Sequence, residues 1–312
     1  MNSNEPPTLT WWGCAAFELR VERDEDSVAF DPFVKPDRPR FGSIFCSHEH
    51  YDHYHEPTLH RLCVGRAFRR LIVSHWCLHA SRLKSPIWDD PLPTDGAFLE
   101  TGQPIALYPK YAKDPTITWP GPTELDLGRW RVQGVESSEN PREYLDGSPI
   151  TTPYPNMGYV LTDTTTGTGI YHPGDLWDAY PAMAELRGQV DIMLYPISKL
   201  RDVEAAVVDL IRPRILVPMH YRPRHSAAFP IPLNPAAGSV SVVDPITGAR
   251  LPGATDEAYQ RDIRTLIRRH WYPTPADPAA KIAELQTLIG DLARFVTVEA
   301  GQPYALSDLL AA

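Results

Sequence analysis

The sequence predicts an α/β fold, an αββα sandwich of two packed sheets with helices outside. Two observations carry that expectation. Short apolar, β-branched runs alternate with helical patterns, and the order is strands first, helices interleaved, then strands again. The chain is also long enough, at 312 residues with 43% apolar content, to bury a large core.

Taken in order, the strand candidates are Ser27–Asp31, Ser43–Ser47, Leu71–Ser74, Trp130–Val135, Met157–Asp163, Gly169–His172, Val190–Pro196 and Ile215–Met219. The polar stretch Thr162–Gly169 carries turn chemistry and predicts a hairpin. Helices are expected over Pro57–Arg69, Tyr180–Leu186, Asp202–Ile211, Thr255–Arg269 and Pro278–Phe295, with Pro57 suited to a first helical position. Proline is dense, at 33 residues, and concentrates in Pro86–Pro122, Pro141–Pro155 and Pro213–Pro252. Such segments suit ordered loops rather than central strands or helix interiors. No repeat or domain boundary is evident. Residues 1–312 read as one domain, with 255–312 a helical extension and final strand packed on it.

Charge narrows the function. With 39 acidic and 30 basic residues the net charge is −9, which argues against a nucleic-acid groove. The acidic run Glu22–Asp26 reads as a solvated hairpin tip. Cys14, Cys46, Cys63 and Cys77 have no CxxC spacing and read as reduced, mostly buried thiols. The first ten residues lack a basic start and an apolar stretch, and no apolar run approaches a bilayer-spanning length. A soluble, cytoplasmic protein with no membrane partner is the expectation; a homo-oligomer stays open.

The chemistry concentrates in Ser47-His48-Glu49-His50-Tyr51-Asp52-His53, directly after an apolar run. In extended chain, residues two apart point the same way, so His48 and His50 can close on one cation. Asp52 and His53 then face the other side and can begin a second site. Imidazoles with a carboxylate suit zinc, manganese or iron. Compatible ligands recur downstream. Asp175 follows Ile170-Tyr171-His172-Pro173-Gly174, where Gly174 permits close backbone approach, and His220 follows directly on Ile215–Met219. Two metals close together need a bridging anion, and a carboxylate at a strand end suits that task.

HxHxDH, then GD, then PMH, resembles the metallo-β-lactamase superfamily. More narrowly, the chain is similar to the branch around ascorbate-6-phosphate lactonase and related metal-dependent hydrolases. Trp11–Phe17, Phe30-Asp31-Pro32, Gly158-Tyr159-Val160 and Val296-Thr297-Val298 fit that branch too. The resemblance implies the αββα sandwich and a site of one or two divalent ions, zinc first, with manganese or iron as alternatives. It also implies a further histidine after the strand at Trp130–Val135. That slot falls on Glu139, and no histidine lies between His79 and His172. Glu139 is either a substitute oxygen ligand, favouring a harder metal, or a surface acid.

The remaining candidates are peripheral. His55 extends the alternation by one position and could contact substrate or take part in catalysis. His172 reads as a supporting group beside the site, and the spacing of His75 and His79 suits packing. Arg222 and Arg224 follow His220, and guanidinium groups recognise carboxylate and phosphate. Lys199, Tyr154 and Asn156 are further substrate-contact candidates. Together these imply a metal-dependent hydrolase acting on a small anionic ester, lactone or phosphoester, with Asp52 accepting a proton from attacking water. The alternatives are a non-hydrolytic lyase or iron-dependent oxygen-using enzyme on the same scaffold, and a non-catalytic metal-binding protein.

Overall fold

A computed structural model describes residues 6–32, 40–50, 52–55, 58–59, 62–63, 65–82, 99–137, 148–151, 154–176, 178–197, 201–221 and 278–311. In chain order the first strands are β1 (Thr8–Gly13), β2 (Ala16–Arg20), β3 (Val28–Phe30), β4 (Ser43–Cys46), β5 (Arg70–Val73) and β6 (Ile105–Ala106). Then follow β7 (Glu124–Asp126), β8 (Trp130–Ser137), β9 (Asn156–Asp163), β10 (Gly169–His172), β11 (Ile192–Pro196) and β12 (Ile215–Met219). The tail adds β13 (Arg294–Phe295) and β14 (Pro303–Ala305). The helices are α1 (Arg201–Ile211), α2 (Pro278–Ile289) and α3 (Leu306–Ala311). The strands form two seven-stranded sheets, ordered β14-β1-β2-β3-β4-β5-β6 and β13-β12-β11-β10-β9-β8-β7.

Each sheet changes from antiparallel to parallel pairing across its width. β3, β4, β5 and β6 run parallel in the first, and β10, β11, β12 and β13 in the second. His48, His50, Asp52, His53, Asp175 and His220 all follow strands in parallel pairing, so they gather at carboxyl ends, where open α/β sheets bind ligands.

Period-two alternation decides what each sheet buries. In β3, β4 and β5, Phe30, Phe45 and Ile72 face inward, where they meet Tyr159, Leu161, Ile170 and Ile192 of the other sheet. The intervening Ala29, Ile44, Cys46, Leu71 and Val73 point outward into a second cluster with Leu59, Leu62 and Phe68. Residues 58–59 and 62–63 are helical, within the segment expected to form a helix. Over the second sheet α1 buries Val207, Val208 and Ile211, and α2 buries Leu285 and Ile289. Each such side chain contributes ~1.5–3 kcal/mol by leaving water.

Several expectations need correction. β1 and β2 lie in a stretch for which no strand was expected, although their residues are nearly all buried. The strand expected to end at Val135 continues to Ser137, paired throughout with β9. The segment Pro181–Leu186 is a 3₁₀ helix. The helix expected over Pro278–Phe295 stops at Ile289, where Gly290 takes a φ of 61°, a conformation glycine adopts freely. Arg294 and Phe295 then pair with β12, and residues 303–305 pair with β1, so the tail adds an edge to both sheets. The expected helix Thr255–Arg269 lies outside the described residues.

Pro218 sits inside β12, where a proline needs explaining. β13 pairs with β12 only at Ile215 and Leu216, so at Pro218 the strand is an edge on that side. The missing N–H therefore removes no ladder bond there. Among the described residues no helix is long and apolar enough to cross a membrane.

Candidate metal centre

The HxHxDH segment leaves β4 and bends already over residues 48–50. There the chain coils, and the amides of His53 and Tyr54 donate to the carbonyl of His50 at 2.9 and 2.7 Å. This turn swings His53 back, so its ring lies 4.0 Å from that of His48 and 5.4 Å from that of His220, with which it stacks. His53 therefore does not face away from His48, as an extended path required. The two ligand sets adjoin.

Asp175 joins them. Its Oδ1 lies 3.2 Å from His53 Nε2 and 3.0 Å from His220 Nε2, while Oδ2 is 3.8 Å from His48 Nε2. Asp52 Oδ2 completes the inner group at 3.7 Å from His53 Nε2 and 3.5 Å from His220 Nε2. On the other side, His48 Nε2 and His50 Nδ1 approach to 3.1 Å. Ligand atoms sharing a tetrahedral cation at ~2.0–2.2 Å stand ~3.4 Å apart, and these separations straddle that value. The donors form two overlapping groups, His48 with His50 and Asp175, and His53 with Asp175 and His220.

The hydrogen bonds aim the rings. Asp31, immediately after β3, accepts from Ser47 N at 2.7 Å, from Ser47 Oγ at 2.7 Å and from His53 Nδ1 at 2.6 Å. With its Nδ1–H committed to a carboxylate, His53 turns Nε2 toward the cluster. Ser47 Oγ, having given its proton to Asp31, accepts from His48 Nδ1 at 3.0 Å, which leaves His48 Nε2 likewise directed inward. Asp52 Oδ1 is buried with no hydrogen-bond partner among the described residues. Polar atoms orphaned at such depth call for a ligand.

The electrostatics agree. Burial pushes the Asp52 carboxyl up, but His53 and His220 beside it outweigh burial and hold it well below the usual carboxylate range. For His53, burial lowers the pKa, yet the three carboxylates of Asp52, Asp31 and Asp175 win and raise it. Burial, reinforced by His53 and His50, depresses His48. The site is an acidic hole that holds positive charge at its centre.

Glycine and strained backbone bring the ligand loops together. Gly174, at φ 63°, lies so close to Ser47 that an added Cβ would sit 2.8 Å from Ser47 Cβ. The close approach expected at this glycine is therefore present, and Asp175 follows directly. His220 itself has φ 63°, a left-handed conformation rare outside glycine. It is pinned by the β1–β2 turn, where His220 N donates to Cys14 O at 2.9 Å and Cys14 N to Tyr221 O at 3.2 Å. His172 ties the same turn to β10, with Nε2 donating to Ala15 O at 2.9 Å and Nδ1 accepting from Gly174 N at 3.2 Å.

The other candidates divide. His55 is buried and bonds Thr58 Oγ1 at 2.7 Å, outside the ligand groups found among the described residues. Asn156 is buried at the start of β9, opposite Ser137. Tyr154 joins a partly exposed aromatic cluster with His75 (ring centroids 3.9 Å apart), Tyr108 and Trp119. Burial and His79 push His75 down to about 4, so it is a neutral member of that wall. Glu139, Lys199, Arg222 and Arg224 lie outside the described residues.

Sequence reading missed two residues of this centre. Asp31 enters the sequence pattern as a strand end and within Phe30-Asp31-Pro32 but with no role at the centre, although an aspartate closing an apolar strand is a signal for a buried partner. Cys14 was read as a packing thiol. Its Sγ lies 3.6 Å from Asp52 Oδ2, and it forms a third ligand-capable group with Asp52 and His220.

Comparison with known proteins agrees with this architecture. A UPF0173 protein of Pyrococcus furiosus, PF0020, is 28% identical over 221 residues, 68% of this chain and 82% of its own. A Pyrococcus horikoshii protein named UPF0173 metal-dependent hydrolase PH1671 is 37% identical over 111 residues, 32% of this chain and 44% of its own. Among solved structures, the fold matches Igni18, a metallo hydrolase of Ignicoccus hospitalis, with a TM-score of 0.54 at 15% identity, covering 96% and 97% of the two chains. It also matches CmlA, a diiron beta-hydroxylase of Streptomyces venezuelae, with a TM-score of 0.50 at 13% identity, covering 97% of this chain and 55% of that one. The family profile described as a beta-lactamase superfamily domain matches residues 8–220, from the first strand to the last histidine of the centre, and the chain belongs to that superfamily.

Proposed function

We propose that this protein is a metal-dependent hydrolase, with His48, His50, Asp52, His53, Asp175 and His220 holding one or two divalent cations. One observation carries the reading. Asp175 offers Oδ1 to His53 and His220 and Oδ2 to the side of His48, the arrangement a carboxylate shared between neighbouring cations requires. A divalent cation bound there supplies a water acidified toward neutrality and an electrophile for a carbonyl or phosphoryl oxygen.

The chain's residues divide the remaining work. A carboxylate held as low as Asp52 stays ionised and is weakly basic, which suits a ligand better than a proton acceptor. We therefore assign Asp52 to binding first. Asp31 and Ser47 orient His53 and His48. His75 follows β5, parallel to the neighbouring β4 that leads into the ligands, and with Tyr108, Trp119 and Tyr154 it forms an aromatic wall that suits the apolar body of a small substrate. A small ester, lactone or phosphoester with an anionic group is the proposed substrate class, with Arg222 and Arg224, which follow His220 in the sequence, as the proposed readers of its charge. Lactonase-like activity, zinc as the preferred ion and a cytoplasmic location belong to the same proposal. A second reading, an iron-dependent oxygen-using enzyme, is favoured by the missing histidine between His79 and His172, where Glu139 would offer a harder oxygen ligand.

The deciding experiment assays protein stripped by chelator and reloaded separately with zinc, manganese or ferrous iron. A panel of lactones, carboxylic esters and phosphodiesters, each in anionic and neutral form, is screened with and without oxygen. Metal-restored, oxygen-independent hydrolysis favouring the anionic member is the expected result. Turnover that needs iron and oxygen would move the assignment to the second reading.

A further inference from the structure

We propose that Cys14 is a sulfur ligand of the inner cation position, joining Asp52 and His220 there. The inference rests on the reading of the cluster as a metal centre and extends its donor set to a residue in the turn between β1 and β2. Geometry is the first argument. A thiolate at ~2.3 Å and a carboxylate oxygen at ~2.1 Å from one tetrahedral zinc stand ~3.6 Å apart. Cys14 Sγ and Asp52 Oδ2 are separated by 3.6 Å.

Position is the second. Cys14, Asp52 and His220 are all buried, and their ligating atoms lie within 4.8 Å of one another. The backbone of Cys14 is held at a φ of 48°, which a cysteine rarely adopts. Its amide donates to Tyr221 O, while its carbonyl accepts from His220 N at 2.9 Å and from Trp11 Nε1 at 3.0 Å. The turn is thus fastened to His220 and Tyr221, which follow β12, and the thiol lies against the cluster.

The third argument is the orphaned partner. Asp52 Oδ1 is buried without a hydrogen bond, in the carboxylate that Cys14 approaches. A thiol that served only to satisfy Asp52 would leave this atom unsatisfied still. A cation between sulfur, carboxylate and imidazole gives the whole group a partner; the thiol proton passes to buffer as the Sγ–metal bond forms. The other three cysteines are remote from this duty. Cys46, Cys63 and Cys77 all lie in the outer apolar cluster of the first sheet.

The test uses cobalt(II) as the probe in the full chain, wild type beside Cys14→Ser and Cys14→Ala. Cobalt bound by a thiolate shows a ligand-to-metal charge-transfer band in the near ultraviolet, separate from the visible bands that report binding by nitrogen and oxygen. We expect the wild type to show both. Both variants should keep the visible bands, lose the charge-transfer band completely, and bind the inner cation at least ~10-fold more weakly. Visible bands with no charge-transfer band in the loaded wild type overturn the proposal and leave the metal centre standing, as does a band that survives in Cys14→Ala. If the wild type takes up no cobalt at all, the metal-centre reading fails and this proposal with it. The wild-type spectrum decides even where a variant does not fold.

Discussion

Asp31 does more for the centre than its place in the sequence suggests. It holds three donors at once, two from Ser47 and one from His53, in a buried position with a φ of 42°. Replacing Asp31 with alanine strands those donors and should destabilise the protein by about 3 kcal/mol. Cation affinity should fall about 10–100-fold, because His53 loses the group that fixes its tautomer. Thermal unfolding and metal titration read the two effects, and an Asp31→Ala protein that binds cations like the wild type would contradict this role. The protonation of His53 gives a second expectation. Its folded pKa is raised, so in cation-free protein its stabilisation is complete below the ordinary histidine value of ~6.5 and is lost as pH rises through the folded value. Asp52, whose folded pKa is depressed, stabilises above the ordinary carboxylate value and loses that contribution as pH falls through its folded value. Cation binding requires neutral imidazole and so strengthens with pH. The gain in Tm from saturating zinc should therefore widen between about pH 6 and about pH 8. A gain that narrows over that interval would show that His53 is not displaced from its proton by the ion.

The elements that carry ligands were the most legible part of the chain. β4, β10 and β12 announce themselves as apolar β-branched runs, and each leads within a few residues to histidine or aspartate. β1 and β2 were less so. Thr8-Leu9-Thr10-Trp11 and Phe17-Glu18-Leu19-Arg20 do alternate, but each run is short and the apolar stretch from Trp12 to Ala16 between them hides the turn. The turn they form reads locally as packing, and its meaning appears only when β12, two hundred residues away in sequence, is seated against it. The path of HxHxDH was misjudged for a similar reason, since the coil at His50 depends on backbone bonds that residue spacing does not reveal. Gly174 tests whether the loops are positioned as tightly as they look. A methyl group there meets Ser47 Cβ and Oγ at 2.8 and 2.9 Å on a backbone at φ 63°. Gly174→Ala should cost about 1–3 kcal/mol and displace Asp175 from His53 and His220. Unchanged Tm and unchanged zinc affinity would show that the loop has room to yield.

At the scale of the whole molecule, the two sheets meet at one end, where the ligands come from both. His48, His50, Asp52 and His53 follow a strand of the first sheet, and Asp175 and His220 follow strands of the second. The tail fastens this arrangement by adding β13 to one sheet and β14 to the other. Its Leu285, Ile289, Leu306 and Leu309 are buried in the shared core. Deleting residues 278–312 should uncover both edges and these side chains, giving a protein with no cooperative thermal transition. A truncated chain that unfolds cooperatively at the parental temperature would show the tail to be an accessory. The account as a whole stands on the neighbouring cation positions that share Asp175. An anomalous-difference map from zinc-loaded crystals, collected on both sides of the zinc edge, tests it most directly. The predicted result is a peak ~2.0–2.1 Å from Nε2 of His53 and of His220, in contact with Asp175, with a second occupied position falling between His48, His50 and the other Asp175 oxygen. Full zinc loading with every peak away from His53, Asp175 and His220 would contradict it.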